Sequence, residues 1–398
     1  MPHPYAGGVD ALRTEAERAA ESDDAERLRS AIPFDGRSAL WTGLARVGGV
    51  LLPAGIVDTD PWALLRGRGD TPRRRRADGS TVGTARSRFA TLGPRFDADV
   101  PPGGYSWWYV DAISDDGTHG LTIIAFIGSV FSPYYKASGR GNPLDHCSLN
   151  VALYGPRGNR WSMTERSERS ISRDSAHFSI GPSAMRWDGT ALVIDIDERG
   201  APLPFAVRGH VRIEPEIFGT TAFALTPGRR HVWHPIAPKA RVEARFDSPG
   251  LRWSGNGYFD SNRGSESLED GFSNWQWSRV HTGRNVGVLY EGDRRDGSSF
   301  AMALRCDRTG AWIDEALPPQ QFLPATPIFR IPRVTRADAG YRANLRKTWE
   351  DTPFYARSSI STRIFGDAGE GVHESLSLDR FVSPIVQRML PFRIPRRP

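Results

Sequence analysis

Cysteine and lysine are almost missing from these 398 residues. The two cysteines, Cys147 and Cys306, stand far apart and form no C-x-x-C pair. That argues against a disulfide framework and against a zinc site, and it suits a reducing compartment. Of 52 basic residues only Lys136, Lys239 and Lys347 are lysines, and the formal net charge is +6. A mild arginine excess spread along the chain gives little basis for nucleic-acid binding. Long apolar runs are also lacking. The longest, 47–57 and 121–131, fall short of the roughly 18 residues that a transmembrane helix needs. No charged start followed by an apolar core opens the chain, so no secretory signal is expected.

Cofactor motifs are equally scarce. There is no G-x-S-x-G elbow, no G-K-[ST] phosphate loop and no H-E-x-x-H pair. GRGNPL and GNGYFD do not complete G-x-G-x-x-G. Asp260, Asn262 and Gly264 are spaced like the start of a calcium loop, but Ser265 holds the sixth position and Gly271 the twelfth. What is left is acid–base chemistry with no metal and no cofactor.

Glycine (41), proline (30) and tryptophan (12) are plentiful, which favours short strands and many turns over long helices. Residues 1–92 differ from the rest. The segment 10–31 has the composition of a polar helix, and Arg73 to Arg76 form a charge run, either a solvated linker or a patch for anionic lipid. This part reads as an extension of uncertain order. From Pro94 onward short alternating segments follow one another: GGYSWWYVDAISDDGTHGLTIIAFIG with its hairpin signal, then HCSLNVALYG, ALVIDIDERG and FAVRGHVRIEPEI. The style repeats after 240 in ARVEARF, LRWSGNGYFD, NWQWSRV and RNVGVLYEG. The expectation is an all-β protein of two antiparallel barrel or sandwich units, 93–235 and 236–375, with a cleft or pore between them. The tail, 376–398, reads as a basic amphipathic helix capped by Ser383, opened by Pro384 and ended by Pro391. Its stripe of Ile385, Val386, Met389 and Leu390 can enter a membrane interface or dock on the β core.

The stretch 251–279, LRWSGNGYFDSNRGSESLEDGFSNWQWSR, reads as strand, polar turn, strand. Tyr258 and Asp260 are two apart and share a face. Trp253 begins this segment, and Trp275 and Trp277 lie on the returning one. A carboxyl among rings is disfavoured as an ion, and its pKa rises. An acid that stays protonated near neutral pH can protonate something weakly basic. The alternative is an Asp that opens a turn in DSNRG. In RRHVWHP, His231 and Trp233 project to one face about 7 Å apart. Imidazole can take a proton from water, and an indole face can stabilise a cation; the pair can equally be a core Trp beside a hydrogen-bonded His. Tyr105, Trp107 and Tyr109 line either a core or an apolar pocket. Glu269 and Asp270 read as a solvated turn. For Asp145, His146 and Glu165 the spacing fixes no role.

The blocks GGYSWWYVDAISDDGTHGLTIIAFIGSVFSPYY, DHCSLNVALYG, RWSMTER, GYFDSNRGSESLEDGFSNWQWSR and VQRMLPFR resemble the acyclic carotenoid 1,2-hydratases, or hydroxyneurosporene synthases. The resemblance spans roughly 94–395 and leaves out 1–92, which members of that family typically lack. It implies a pair of lipocalin-like units and cofactor-independent addition of water to the terminal C1–C2 double bond of an acyclic carotene such as neurosporene or lycopene. It also implies a cytoplasmic enzyme, peripherally associated with the inner, photosynthetic membrane. A His, a Trp, a Tyr and an Asp are implicated in that family, and His231, Trp233, Tyr258 and Asp260 match them by local motif. In the expected mechanism Asp260 gives the proton, Tyr258 orients it, Trp233 faces the cation and His231 handles the incoming water. Trp253, Tyr105, Trp107, Trp275 and Trp277 are the expected substrate-binding rings. A carrier of an apolar ligand, or an isomerase or cyclase working through a cation, would share most of these features. The sequence leaves the oligomeric state open.

Overall fold

A computed structural model describes residues 93–156, 158–283 and 285–397. The polar helix and the arginine run expected within 1–92 lie outside the described residues.

Alternating side chains, turn residues and β-branched runs produce a chain of strands. In order these are β1 (Tyr105–Ser114), β2 (Gly120–Ile127), β3 (Cys147–Tyr154), β4 (Arg160–Arg166), β5 (Ile171–Arg173), β6 (His177–Ile180), β7 (Ser183–Trp187), β8 (Leu192–Arg199), β9 (Ala206–Ile217), β10 (Phe223–Ala224), β11 (His231–Ser248) and β12 (Leu251–Gly264). With β22 (Arg396–Arg397) they make a 13-stranded sheet in the order β22–β4–β3–β2–β1–β12–β11–β9–β8–β7–β6–β5, with β10 beside β11. All pairs are antiparallel except β22 with β4. The sheet curls until β4 lies against β8 and β9. Inside the curl is an aliphatic and aromatic core that includes Trp108, Val110, Ile123, Val151, Ile194, Val211 and Phe259.

The second sheet starts after a seven-residue link. It holds β13 (Phe272–Thr282), β14 (Asn285–Arg294), β15 (Ser299–Cys306), β16 (Trp312–Asp314), β19 (Asn344–Asp351), β20 (Tyr355–Ile364) and β21 (Asp367–Ser377), in the order β16–β15–β14–β13–β21–β20–β19. A separate ribbon, β17 (Gln320–Leu323) with β18 (Arg333–Arg336), leans on β13, β20 and β21. The boundary expected at 235/236 falls inside β11. Both β11 and β12 belong to the first sheet, and the sheets change between Gly264 and Phe272.

The strands β1, β2 and β3 are buried on both faces. One face fills the curl. The other carries Tyr105, Trp107, Tyr109, Ile124, Phe126 and Tyr154, and it is covered by the second sheet and the C-terminal helix. This doubly buried layer explains why the sequence there is nearly continuous in apolar residues rather than cleanly alternating.

Four short helices are described: α1 (Pro133–Ala137), α2 (Leu268–Gly271), α3 (Leu378–Phe381) and α4 (Pro384–Arg393). Ser383 caps α4 through the Val386 amide, and Pro384 occupies its first turn. Pro391 does not end it. The last turn closes beyond the proline, where the Ile394 amide donates to the Leu390 carbonyl at 2.8 Å. A proline this close to a helix end removes one bond at a point where the helix is already stopping. Glu269 is no solvated turn residue: it is buried and accepts from Arg140 at 2.5 Å, tying α2 to the loop after α1. Asp145, His146 and Glu165 gather around Arg396 and anchor the chain's end beside β4. Both cysteines are free and buried.

Candidate active site

Three adjacent strands, β1, β12 and β11, place their outward side chains in rows because antiparallel register puts residues of like parity side by side. The first row is Tyr105–Gly264–His231, the second Trp107–Asn262–Trp233 and the third Tyr109–Asp260–Pro235. Asp111 and Tyr258 pair in the fourth. Asp260 therefore sits within a strand, not at the start of a turn. Facing these rows, the second sheet presents Trp275, Trp277 and Arg279 from β13, Tyr290 from β14, Glu374 from β21 and Arg357 from β20.

Asp260 is 4% exposed. Its Oδ2 accepts two hydrogen bonds, from Tyr258 Oη at 2.8 Å and from Trp233 Nε1 at 2.8 Å. Its Oδ1 is buried and takes no hydrogen bond. Burial pushes the carboxyl up from 3.8 to about 8, against the two donors that favour the anion. A neutral Asp260 carries its proton on Oδ1, because Oδ2 is already receiving two hydrogens. Asp260 belongs to the wall of a cavity of about 50 Å³ formed with Trp107, Tyr109, Trp233, Asn262, Trp275, Trp277, Tyr290 and Glu374.

The small cavity shares Trp107, Tyr109, Trp275 and Glu374 with a second one of about 190 Å³. The larger cavity runs along the outer face of β2, β3 and β4 over Ile124, Phe126, Trp161 and Met163, and is closed by Phe354 and by Val386, Met389 and Leu390 of α4. Rings dominate this whole seam. Trp233 meets Tyr290 edge-on at 5.6 Å, Tyr258 lies 5.2 Å from Trp277, and Trp107 lies 6.5 Å from Trp275. Ring-lined walls beside one carboxyl pushed up to about 8 combine an apolar surface with a proton donor at neutral pH.

Charge is confined to one side of the box. Asp111 is held by Arg279 and Arg357, and Arg357 also pairs with Glu374. Tyr109 Oη joins them, donating to Glu374 at 2.7 Å or to Asp111 at 3.0 Å. Two acids and two arginines leave this buried cluster without formal net charge. The Arg279 guanidinium lies 5.7 Å from the centre of the Tyr258 ring. The anionic members still disfavour ionisation of Asp260, after burial itself.

Trp233, Tyr258 and Asp260 are thus brought together as expected by face. His231 is not. It is fully buried in the first row, where Nδ1 meets Tyr105 Oη at 2.9 Å and Nε2 meets Glu266 Oε1 at 3.1 Å. Glycines make the room: a Cβ on Gly264 would stand 2.9 Å from Nδ1, and one on Gly271 2.3 Å from Nε2. The ring is absent from the lining of either cavity. Burial, reinforced by Arg230, pushes its pKa down to about 4. The His231 ring is therefore neutral at physiological pH, with both nitrogens engaged, and it does not reach across to Asp260. Tyr105 also stands back from the cavities, stacked on Trp107 at 4.9 Å. Trp253 points the other way. It is five residues from Tyr258, an odd spacing, so it packs against the core inside the curl. Trp107, Trp275 and Trp277 do line the cavity.

Sequence reasoning passed over Asn262, Tyr290, Glu374, Arg357 and Asp111. Asn262 could have been found, since it is two residues beyond Asp260 on one strand. The others depend on how the sheets stack, which no local pattern reports. Among the described residues, no group of three or more His, Cys, Asp or Glu is placed to hold a metal ion.

Known proteins agree on the family. The profile described as "Carotenoid hydratase CrtC" matches residues 123–398. The acyclic carotenoid 1,2-hydratase of Thiocapsa roseopersicina is 51% identical over 94% of this chain and 93% of its own. That of Rubrivivax gelatinosus is 45% identical over 98% of each. Both alignments extend into residues 1–92, which the sequence resemblance had left out. Among solved structures, kievitone hydratase from Nectria haematococca is similar over 70% of this chain and 92% of its own, with a TM-score of 0.44 and 12% identity. On the strength of the profile match and these two close relatives, the chain belongs to the carotenoid hydratase family.

Proposed function

We propose that this chain adds water across the terminal C1–C2 double bond of an acyclic carotene, with Asp260 as the general acid and with no cofactor. The observation that carries this reading is the Asp260 carboxyl: pushed up to about 8, with an unpartnered Oδ1, on a residue that lines a ring-walled cavity sharing four residues with a larger apolar one.

The alkene is a very weak base, so its protonation needs a strong, desolvated acid and a site that tolerates the cation. Transfer of the Oδ1 proton to C2 leaves a tertiary cation at C1. Trp233 and Tyr258 keep their hydrogen bonds to Oδ2 and so stabilise the carboxylate as it forms. The faces of Trp107, Trp275 and Trp277 stabilise the cation, each such contact being worth about 0.5–2 kcal/mol. Water then bonds to C1. Dry walls limit the competing loss of a proton back to alkene.

His231 fits a positioning role. Its Nδ1 holds the Tyr105 hydroxyl, and Tyr105 backs Trp107, a ring common to both cavities. The substrate's remaining length needs an exit. The helix α4 lines the larger cavity with Val386, Met389 and Leu390 and exposes Ile385 and Phe392 on its outer side. Arg388 and Arg393 flank these residues. Such a helix suits a membrane surface from which a carotene can enter. No described helix is long and apolar enough to cross a membrane.

Incubation of the purified protein with lycopene tests the activity. A product heavier by one water supports it. Bound but unchanged lycopene would make the protein a carrier, and a rearranged product of equal mass would make it an isomerase or cyclase.

A further inference from the structure

Two buried oxygens without a hydrogen-bond partner, Asp260 Oδ1 and Asn262 Oδ1, belong to residues that line the small cavity. Both residues are more than nine-tenths buried, at 4% and 6% exposure. They stand two apart on β12, so their side chains leave the same face of the same strand. Asn262 lies in the row between Trp107 and Trp233. The Trp233 N–H is committed to Asp260 Oδ2, and the Asn262 side-chain oxygen takes no hydrogen bond from the protein. Leaving such a buried group bare is unfavourable. A ligand that donates to Asn262 Oδ1, and also to Asp260 Oδ1 once that oxygen has given up its proton, must bring two hydrogens on one small atom, and a carotene brings none. Water fits: a polar pair in a chamber of about 50 Å³ meets what a bound water requires.

Resting on the hydratase reading above, we infer that Asn262 and Asp260 together hold the nucleophilic water, and that the carboxyl that gives the proton also takes one back. The electrons balance within the site. The π pair of C1=C2 forms the C2–H bond as the Asp260 Oδ1–H bond breaks. This leaves the cation at C1 and the anion on Oδ1. The water donates one O–H to Asn262 Oδ1 and turns its lone pair to C1. As the C1–O bond forms, its other O–H bond breaks and that proton passes to Oδ1. Asp260 ends neutral, as it began, and no second base is used. This assigns Asn262 a positioning role and explains how the cycle closes although His231 lies outside the cavity.

The test separates proton transfer from water capture. Wild type, Asn262→Leu and Asn262→Ala are incubated with lycopene in D2O. Two quantities are measured: hydrated product, and deuterium in recovered lycopene. Leucine keeps the bulk of asparagine without an acceptor. Both variants should still protonate the alkene, but the cation should revert instead of being captured. The ratio of deuterium exchange to hydration should rise by at least about tenfold, or ~1.4 kcal/mol of lost capture. If that ratio is unchanged in folded variants, whether both activities fall together or neither does, Asn262 does not hold the water. If Leu disrupts folding, the ratio is read from Ala. A wild type that never gains water sinks the hydratase reading itself, and the inference with it.

Discussion

Replacing Asp260 by asparagine should cut hydration steeply and yet stabilise the protein at neutral pH. An ordinary aspartate titrates near 3.8, whereas Asp260 in the fold is pushed up to about 8 by burial. Between these values the folded chain retains a proton that the unfolded chain has released. The unfolded state then binds fewer protons, so stability falls as pH rises through this window. The contribution is intact below about pH 4. By pH 7 the span is about 3 units, and at 1.36 kcal/mol per unit about 4 kcal/mol has been lost. Asparagine has no such proton to lose. Its amide oxygen can accept from Tyr258 and Trp233 as Oδ2 does now, and its amino group replaces Oδ1 toward the cavity. Urea titrations at several pH values should show the variant gaining under 2 kcal/mol on wild type at about pH 5 and about 4 kcal/mol at about pH 7. Activity should fall about 10²–10⁴-fold, the usual worth of a general acid. A variant less stable than wild type by the same amount at every pH would mean that Asp260 is ionised in the fold. Hydration within about tenfold of wild type would mean that it is not the donor.

Other outcomes follow from the same geometry. Tyr258→Phe removes one of the two donors that favour the Asp260 anion, so the alkaline limb of the pH–rate profile should move up by about 1–2 units; a downward move would contradict the assignment. His231→Gln can still accept from Tyr105 and donate to Glu266, and it should keep hydration within about tenfold, whereas a residue that deprotonates the water would lose far more. Asp111→Asn leaves the buried Arg279 without its acid, and urea denaturation should register a loss of about 3–5 kcal/mol; a neutral effect would show the cluster to be dispensable.

Period-two alternation carried much of the site into view. It put Tyr258 and Asp260 on one face, and pairing of β11 with β12 brought Trp233 to the same carboxyl. The same rule, applied to Trp253, already places it on the opposite face. His231 and Trp233 do share a face, but a spacing of two also moves a side chain into the next row. There the neighbour from β1 changes from Trp107 to Tyr105, and the two rings end in different compartments. Local pattern could not supply Glu374, Arg357 or Tyr290, which reach the site through the stacking of one sheet on another. It also drew the unit boundary through β11, because a turn-rich stretch at 218–230 looks like a linker while the strand that follows returns to the first sheet. The rings of the doubly buried face were legible as a set. Whether they enclosed a cavity or filled a core depended on the second sheet.

The protonation state of Asp260 can be read directly. Difference infrared spectra of wild type against Asp260→Asn isolate the carbonyl stretch of a single protonated carboxylic acid. That band should be present at neutral pH and should fade with a midpoint of about 8, in step with the loss of hydration activity. No such band near pH 6, or a midpoint close to the ordinary aspartate value of 3.8, would contradict the acid on which the chemistry depends.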